Sequence, residues 1–272
     1  MMLERLVQKL FHAFCSKSYH VKKNPPDFFQ NGLDEMKEFF NMRFEGRIDF
    51  KGKTVLEVGC GFGSAVVYMA QRGATEVVGI DRQKSRILFA KSLLMSDYKH
   101  LDRLVEFKQK NDISNSLEGK KFDIILSKDS FEHYSDPANM LSAMKKRLKK
   151  NGIIVIGFGP TWKAPYGAHL GLMTKVPWVH LIFPESFIMV EARRYFQDNE
   201  LESLEQVAGG LNKMTLSKFL TVVRENDLEF EYFRVNLSPT KLMFVFNILR
   251  KIPLCREYFT QNVYSLLRLP RD

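Results

Sequence analysis

The feature that most constrains this sequence is a short apolar run that ends in a cluster of glycines, residues 55–64. The run has the apolar side chains typical of a strand covered on both faces: Val55, Leu56 and Val58. Glycines then follow at alternate positions: Gly59, Gly61 and Gly63. Glycine permits a tight turn and leaves the backbone open to a ligand. The stretch therefore predicts a buried strand, a glycine turn, and a helix that points its N-terminal amides at that ligand.

A second strand follows at the spacing of the same supersecondary unit. Residues 76–81 are apolar between two acidic ends, and the segment closes on the carboxylate of Asp81. Strand, glycine turn, helix, strand and acid make a βαβ unit for a nucleoside-bearing cofactor, in which the acid accepts hydrogen bonds from ribose hydroxyls. We therefore expect Asp81 to hold a ribose.

The glycine spacing separates two classes of cofactor. The dinucleotide fingerprint G-x-G-x-x-G is not met, because Gly63 comes one residue early and Ser64 takes the last position. The pattern E-x-G-x-G-x-G, which begins at Glu57, resembles motif I of the class I S-adenosylmethionine (SAM)-dependent methyltransferases. The resemblance implies SAM as the cofactor, with contacts from Glu57, Gly59, Cys60, Gly61, Gly63, Asp81 and Arg82. An NAD-linked oxidoreductase built on the same βαβ unit is the alternative.

A signal at the fourth strand supports the same resemblance. Residues 122–127 predict a buried strand, and the motif F-E-H and the helix-starting pair D-P follow it. This arrangement resembles the fourth-strand motif of small-molecule methyltransferases, whose loop lies beneath the methionine part of the cofactor. It implies a cofactor contact from Ser127. After a short third strand, residues 104–107, the resemblance implies adenine contacts from Asp112 and Ile113.

The resemblance also implies the architecture of the chain. We expect an α/β, Rossmann-like fold with a seven-stranded, mostly parallel sheet of order 3-2-1-4-5-7-6 and helices on both faces. Residues 1–50 are expected to form an N-terminal helical cover, and residues 51–272 the SAM-binding domain. A lid insertion over about residues 160–212 follows strand five in this scheme, because long connections at that sheet edge usually bind or cover ligands.

Local signals predict three further features. Pro25-Pro26 is expected to break the chain ahead of a helix over residues 31–44. A helix over residues 137–150 is expected to end in a left-handed cap at Gly152. An apolar helix inserted at residues 241–250 is expected to be core, with a partner or membrane face as the alternative.

The lid insertion begins with residues 161–185, which lack periodicity and are rich in aromatic residues, Gly, Pro and His. We expect acceptor contacts from its aromatic side chains: Trp162, Tyr166 and Trp178. Methyl transfer to a hydroxyl is an in-line displacement that also needs a proton removed, and histidine is suited to this near neutral pH. The catalytic candidates are His169 as the base, His133 as an orienting group, and Asp129. No residues stand at metal-ligand spacing, so we expect no metal.

Composition narrows the choice of partners. The chain carries 41 Lys and Arg against 31 Asp and Glu, a net charge of +10 that fits either a solvated basic surface or an anionic partner. It has neither an N-P-P-Y motif nor paired cysteines, which favours a small-molecule or glycan-precursor acceptor over nucleic acid. A non-catalytic methyltransferase-like protein that binds RNA or anionic membrane through its basic surface is the second alternative.

Two features bear on location. The three cysteines are far apart and odd in number, which indicates a reducing, cytoplasmic setting. Residues 3–14 have the spacing of an amphipathic helix. We expect this helix to pack over the cofactor cleft, with peripheral contact to a membrane surface as the alternative.

Overall fold

A seven-stranded sheet is the centre of the fold in the computed structural model, which describes residues 2–15, 24–110, 113, 117 and 119–271. The strands are β1 (Thr54–Val58), β2 (Glu76–Asp81), β3 (Val105–Gln109), β4 (Phe122–Lys128), β5 (Leu148–Phe158), β6 (Glu229–Val235) and β7 (Val263–Arg268). They are ordered β3-β2-β1-β4-β5-β7-β6. Strands β1 to β5 pair in parallel, and β7 lies antiparallel to both β5 and β6. The predicted fold class and strand order are confirmed.

Helices cover both faces of this sheet. They are α1 (Met2–Ala13), α2 (Pro25–Glu38), α3 (Ser64–Gln71), α4 (Lys84–Ser96), α5 (Pro137–Arg147), α6 (Val179–Ile182), α7 (Glu185–Phe196), α8 (Leu216–Glu225) and α9 (Lys241–Leu249). One apolar core packs α2, α3 and α4 on one face, and a second packs α5 and α8 on the other. Neighbouring strand residues alternate between the cores, since Val55 belongs to the first and Leu56 to the second. None of the described helices is long and apolar enough to cross a bilayer.

The proline pair begins a helix instead of breaking the chain. Pro25 and Pro26 occupy the first turn of α2, and the side chain of Asn24 accepts a hydrogen bond from the Asp27 N–H at 2.9 Å. Proline is tolerated there because the first N–H groups of a helix have no intrahelical acceptor. The predicted break and the helix start at residue 31 were therefore wrong.

The predicted cap at Gly152 was also wrong. Helix α5 ends at Arg147, and Leu148 already has extended backbone as the first residue of β5. Leu148 is buried and pairs with Phe122, so strand pairing replaces the last helical turn. Gly152 does not have a positive φ. A larger side chain is disfavoured at this position because a Cβ would lie 2.9 Å from the Asp123 carbonyl oxygen.

The lid insertion, residues 160–212, has an apolar core of its own that also takes in α1. Phe11 of α1 stacks on Phe183 with 4.8 Å between ring centroids. The backbone of Cys15 forms an isolated antiparallel β-bridge with that of Thr174. Helix α1 therefore packs on the lid insertion, whereas α2 packs against α3 next to the glycine turn. The expectation that α1 covers the cofactor cleft was wrong, because the apolar partners of Phe11 belong to the lid insertion.

Candidate active site

A cavity of about 380 Å³ lies at the carboxyl ends of β1, β2 and β4. This is the point where the strand order reverses, at which open α/β sheets bind ligands. Its walls are Gly32, Met36, Glu57, Val58, Gly59, Cys60, Gly61, Ser64, Ala65, Ile80, Asp81, Arg82, Gln83, Arg86, Lys110, Lys128, Asp129, Ser130, His133, Tyr134, Met140 and Gly209. We call it the main cavity.

Half of the residues singled out from the sequence line the main cavity. Those that line it are Glu57, Gly59, Cys60, Gly61, Asp81, Arg82, Asp129 and His133. Those that lie elsewhere are Gly63, Ile113, Ser127, His169, Trp162, Tyr166 and Trp178. The remaining residue, Asp112, falls outside the described part of the chain.

Asp81 fastens the glycine turn to the end of β2. One of its carboxylate oxygens accepts from the Gly61 N–H at 2.9 Å, and the other accepts from the Gln83 N–H at 2.8 Å. The backbone on the other side of the turn is tied as well, because the Gly59 and Cys60 N–H groups both donate to the Ile80 carbonyl at 2.9 Å. A carboxylate oxygen can accept more than one hydrogen bond, so Asp81 keeps lone pairs for a ligand in the main cavity.

Two glycines of the turn are required by close packing. A Cβ on Gly59 would lie 2.3 Å from the Ser130 hydroxyl oxygen, so the loop after β4 can approach the turn only at a glycine. A Cβ on Gly63 would lie 2.7 Å from the ring of Phe107. Gly63 therefore serves the packing of α3 against the sheet and does not touch the main cavity.

Glu57 is a buried carboxyl with one unsatisfied oxygen. It takes a backbone hydrogen bond at Val66, in the first turn of α3, while its Oε2 has no partner among the described residues. Burial raises the pKa of Glu57 to about 8; Lys128 opposes this shift and Asp81 adds to it. A buried acceptor without a donor is costly, so this oxygen marks a place for a cationic or N–H group of a ligand.

The loop after β4 supplies a lysine and a tyrosine to the same walls. Lys128 is largely buried, and its ammonium pairs with Asp129 and, at 3.5 Å, with Glu35 of α2. Burial works to lower the pKa of Lys128, but these carboxylates outweigh it and raise the pKa above its usual value. The Tyr134 hydroxyl lies 2.9 Å from the hydroxyl of Ser127, which does not itself line the main cavity.

Two histidines meet beside the main cavity. His133 Nδ1 lies against the Gly210 carbonyl; the N–H must therefore be on Nδ1, which leaves the lone pair on Nε2. The ring of His169 lies behind it, with 5.4 Å between ring centroids. Burial lowers the pKa of His133, and burial together with His133 lowers the pKa of His169 to about 4. Both imidazoles are therefore neutral at pH 7 and able to accept a proton.

The histidine pair stands next to a buried acid. The ligand atoms of Glu132, His133 and His169 all lie within 4.8 Å of one another. Two imidazoles and one carboxylate are donors that divalent transition metals accept, so this group could hold an ion. Sequence spacing gave no sign of it, because His169 comes from the lid insertion and the other two residues from the loop after β4.

Three of the residues singled out from the sequence have strained backbone. Asp129, His169 and Trp178 have φ values of 48°, 58° and 56°. Such angles are uncommon for residues other than glycine and cluster at functional sites. Asp129 lines the main cavity, and His169 and Trp178 belong to the lid insertion.

The aromatic residues of the lid insertion surround a different cavity. Tyr166 and Trp178 line a space of about 480 Å³ between the lid insertion and α9, which we call the lid cavity. Its other walls are Pro165, Pro177, Ser238, Thr240, Leu242, Met243, Phe246, Gln261 and Asn262. Trp162 lines neither cavity; its indole packs on the ring of His180, 4.9 Å away, beneath the ammonium of Lys213.

Several wall residues of the main cavity were not singled out from the sequence. Lys128, Ser130 and Tyr134 stand inside the fourth-strand motif, so the motif itself was the signal that could have found them. Gly32 and Met36 come from α2 and carry no local signal. Their place depends on the packing of α2 against α3, where the Ser64 hydroxyl donates to the Phe29 carbonyl at 2.9 Å.

Comparisons with known proteins agree with this geometry. Residues 49–159 match the sequence profile of a methyltransferase domain family. Phosphoethanolamine N-methyltransferase 1 of Zea mays is 32% identical over 126 residues, which cover 46% of this chain and 23% of that protein. The ubiquinone biosynthesis O-methyltransferase of Pasteurella multocida is 35% identical over 109 residues, which cover 38% of this chain and 45% of that protein. The chain thus spans less than half the length of either relative.

The fold has a counterpart among solved structures. A SAM-dependent methyltransferase from Mesorhizobium loti superposes with a TM-score of 0.57 at 16% identity. The superposition covers 87% of this chain and 99% of that one. At this identity the likeness concerns the fold, and the chemistry has to be argued from the site.

Proposed function

We propose that this protein, whose residues 49–159 match a methyltransferase domain family, transfers the methyl group of SAM to a hydroxyl oxygen of a small molecule or glycan precursor. The observation that carries the proposal is the pair of buried acids, Glu57 and Asp81, on the walls of the main cavity. An acid with an unsatisfied oxygen and an acid with spare lone pairs face the same space.

The residues of the main cavity fit SAM. The cofactor carries a cationic α-amino group and a sulfonium, and the free Oε2 of Glu57 is an acceptor for such a group. The spare lone pairs of Asp81 suit ribose hydroxyls, which is the role of the acid after the second strand in nucleoside sites. A volume of about 380 Å³ is within the usual range of ligand pockets.

Bound SAM would supply an electrophilic methyl group on sulfur. Transfer would form a C–O bond at the acceptor hydroxyl as the S–C bond breaks, and a base of this chain would take up the hydroxyl proton. We place that base in the His133–His169 pair. Sequence analysis favoured His169, but the wall position of His133 and the lone pair on its Nε2 favour His133, with His169 behind it as a positioning residue. Asp129 is the third candidate for the base, because its carboxylate forms an ion pair with Lys128.

The acceptor is expected to be small and ring-bearing. Tyr166 and Trp178 offer aromatic faces that suit a sugar or an aromatic ring, and they line the lid cavity and not the main cavity where His133 lies. One curated relative is named as an N-methyltransferase and the other as an O-methyltransferase, so the test must include both kinds of acceptor. We also propose a cytoplasmic location, because three cysteines far apart in the sequence suit a reducing compartment.

The experiment is a product screen with methyl-labelled SAM. The full chain is incubated with panels of hydroxylated sugars, phenols and amines, and S-adenosylhomocysteine and labelled product are quantified together. Stoichiometric label on an oxygen-bearing acceptor supports the proposal. Label on amines alone would reassign the acceptor atom. Cofactor binding without turnover of any acceptor would contradict the enzymatic proposal.

We also propose that turnover needs no metal, since the base alone can remove the proton. Treatment with EDTA is then expected to leave the rate unchanged. Loss of activity that returns with a divalent ion would instead assign that ion to Glu132, His133 and His169, whose ligand atoms are close enough to share it.

A further inference from the structure

Helix α9 and the turn after it leave an unusual amount of apolar surface in water. Residues 241–256 expose six large apolar side chains: Leu242, Phe244, Val245, Ile248, Ile252 and Leu254. Phe244 is 68% exposed and Leu254 is 87% exposed. Moving such side chains out of water is favourable. We call residues 241–256 the apolar segment.

The inner side of the same helix is already used by the fold. Met243 and Phe246 are buried and form part of the wall of the lid cavity. The side chain of Thr240 caps the helix by accepting from the Met243 N–H, so the element is well formed where it begins. The expected core stripe therefore accounts for one side of α9, and the opposite side still lacks a partner among the described residues.

The charges around the exposed side chains have one sign. The apolar segment contains Lys241, Arg250, Lys251 and Arg256, and neither Asp nor Glu occurs between residues 236 and 256. The whole chain is also basic, with a net charge of +10. Large apolar side chains flanked by cations are the composition of elements that lie in the interface of anionic membranes. A second copy of the segment would bring like charges together, which opposes pairing.

We propose that residues 241–256 dock this protein onto the surface of an anionic phospholipid membrane. The apolar side chains enter the boundary between headgroups and acyl chains, and the cations contact lipid phosphates. The helix lies along the surface without crossing it. Because Met243 and Phe246 also wall the lid cavity, docking holds that cavity at the membrane surface. The proposal does not depend on methyl transfer.

The test is sedimentation of the full chain with vesicles in the absence of SAM. Vesicles of equimolar phosphatidylcholine and phosphatidylglycerol are expected to bind the protein. Vesicles of pure phosphatidylcholine are expected to bind it at least tenfold more weakly. Phe244→Glu and Leu254→Glu are each expected to weaken binding to the mixed vesicles at least tenfold. Leu88→Glu is the matched control, because Leu88 is 56% exposed on α4, outside the apolar segment. It is expected to bind like the wild type.

Thermal unfolding confirms that each variant is folded before the comparison is made. Equal binding by Phe244→Glu, Leu254→Glu and the wild type would overturn the proposal, as would an equal loss in Leu88→Glu. Sedimentation velocity without lipid measures whether the protein forms a dimer. A dimer that Phe244→Glu converts to monomer would assign the face to a second copy and also overturn the proposal.

Discussion

Two buried acids at the ends of neighbouring strands behave differently because their hydrogen bonds differ. Asp81 has an N–H donor on each oxygen, whereas Glu57 has an oxygen without any partner among the described residues. The first arrangement fixes the glycine turn before a ligand arrives. The second leaves a cost of about 1–3 kcal/mol that a bound donor can remove. Asp81 therefore fixes the shape of the glycine turn, and Glu57 leaves a free acceptor in the same cavity.

Glu57 makes the empty protein less stable at high pH. Its pKa is 4.5 in an unperturbed chain and about 8 in the fold, so the folded state holds the proton more tightly between these values. Stability is therefore lost as pH rises from 4.5 through 8. Glu57→Gln lacks this titration and is expected to raise the melting temperature at pH 9 by about 2–4 °C per kcal/mol gained.

The same substitution is expected to weaken SAM binding at least tenfold, because an amide is a poorer acceptor for a cationic group. Melting curves of the ligand-free protein at several pH values measure the change in stability. Calorimetric titration measures the change in affinity for SAM. A variant whose melting temperature follows the wild type at every pH would show that Glu57 does not titrate in the fold as described.

His133→Asn tests the base. Asparagine can still donate to the Gly210 carbonyl but cannot take up a proton, so kcat is expected to fall by about 10²–10⁴ with SAM affinity unchanged. His100→Asn is the control, because His100 is an exposed histidine that does not line the main cavity. A fall of the same size in His169→Asn alone, with His133→Asn near the wild type, would restore the sequence-based choice of His169.

Contacts between site residues could be predicted from the sequence only where the residues are close together along the chain. Gly59, Gly61 and Asp81 lie within one βαβ unit, where spacing alone predicts that they meet. His133 and His169 meet only because the lid insertion folds back on the loop after β4, and no spacing rule describes that contact.

At the scale of elements, Asn212 ties the end of the lid insertion to the loop after β4, beside the contact between His133 and the Gly210 carbonyl. The Asn212 side chain donates to the Phe131 and Tyr134 carbonyls, both at 2.9 Å, and its backbone N–H donates to the Glu132 carbonyl at 2.9 Å. These bonds hold His133, which lies within the same loop, in position. The lid insertion is thus part of the site although its aromatic residues line another cavity.

Asn212→Ala removes two side-chain hydrogen bonds and leaves two carbonyls without their donor. We expect a loss of about 1–3 kcal/mol in the free energy of unfolding, measured by urea titration, and a fall in kcat larger than the change in SAM affinity. Asn151→Ala, at an exposed position, is the control. Unchanged unfolding and turnover in Asn212→Ala would show that the loop does not depend on this tie.

Elements were predicted well where pattern and packing agree, and poorly at their boundaries. The strands β1, β2 and β4 are continuous apolar runs because both faces of a parallel sheet are covered. Helix α5 ends early because Leu148 pairs with Phe122, a contact between residues distant in sequence. The start of α2 was missed because a proline pair permits a helix start as well as a break.

At the scale of the whole molecule, the strand order followed from the family resemblance and was confirmed. The placement of the two cavities was not available from sequence. The aromatic residues of the lid insertion were expected beside the cofactor. Tyr166 and Trp178 instead line the lid cavity together with residues of α9, which is inserted between β6 and β7. Such a contact joins two insertions, and neither belongs to the common core of the fold.

We propose that the main cavity binds SAM through the glycine turn and the carboxyl groups of Glu57 and Asp81. Calorimetric titration of the purified chain with SAM, S-adenosylhomocysteine and NAD, repeated on Asp81→Ala, tests it most directly. Both sulfur nucleosides are expected to bind the wild type. The variant loses the tie between Gly61 and Gln83 as well as the ribose acceptor, so its affinity is expected to fall at least tenfold. Binding of NAD in place of SAM, or unchanged affinity in the variant, would contradict the account.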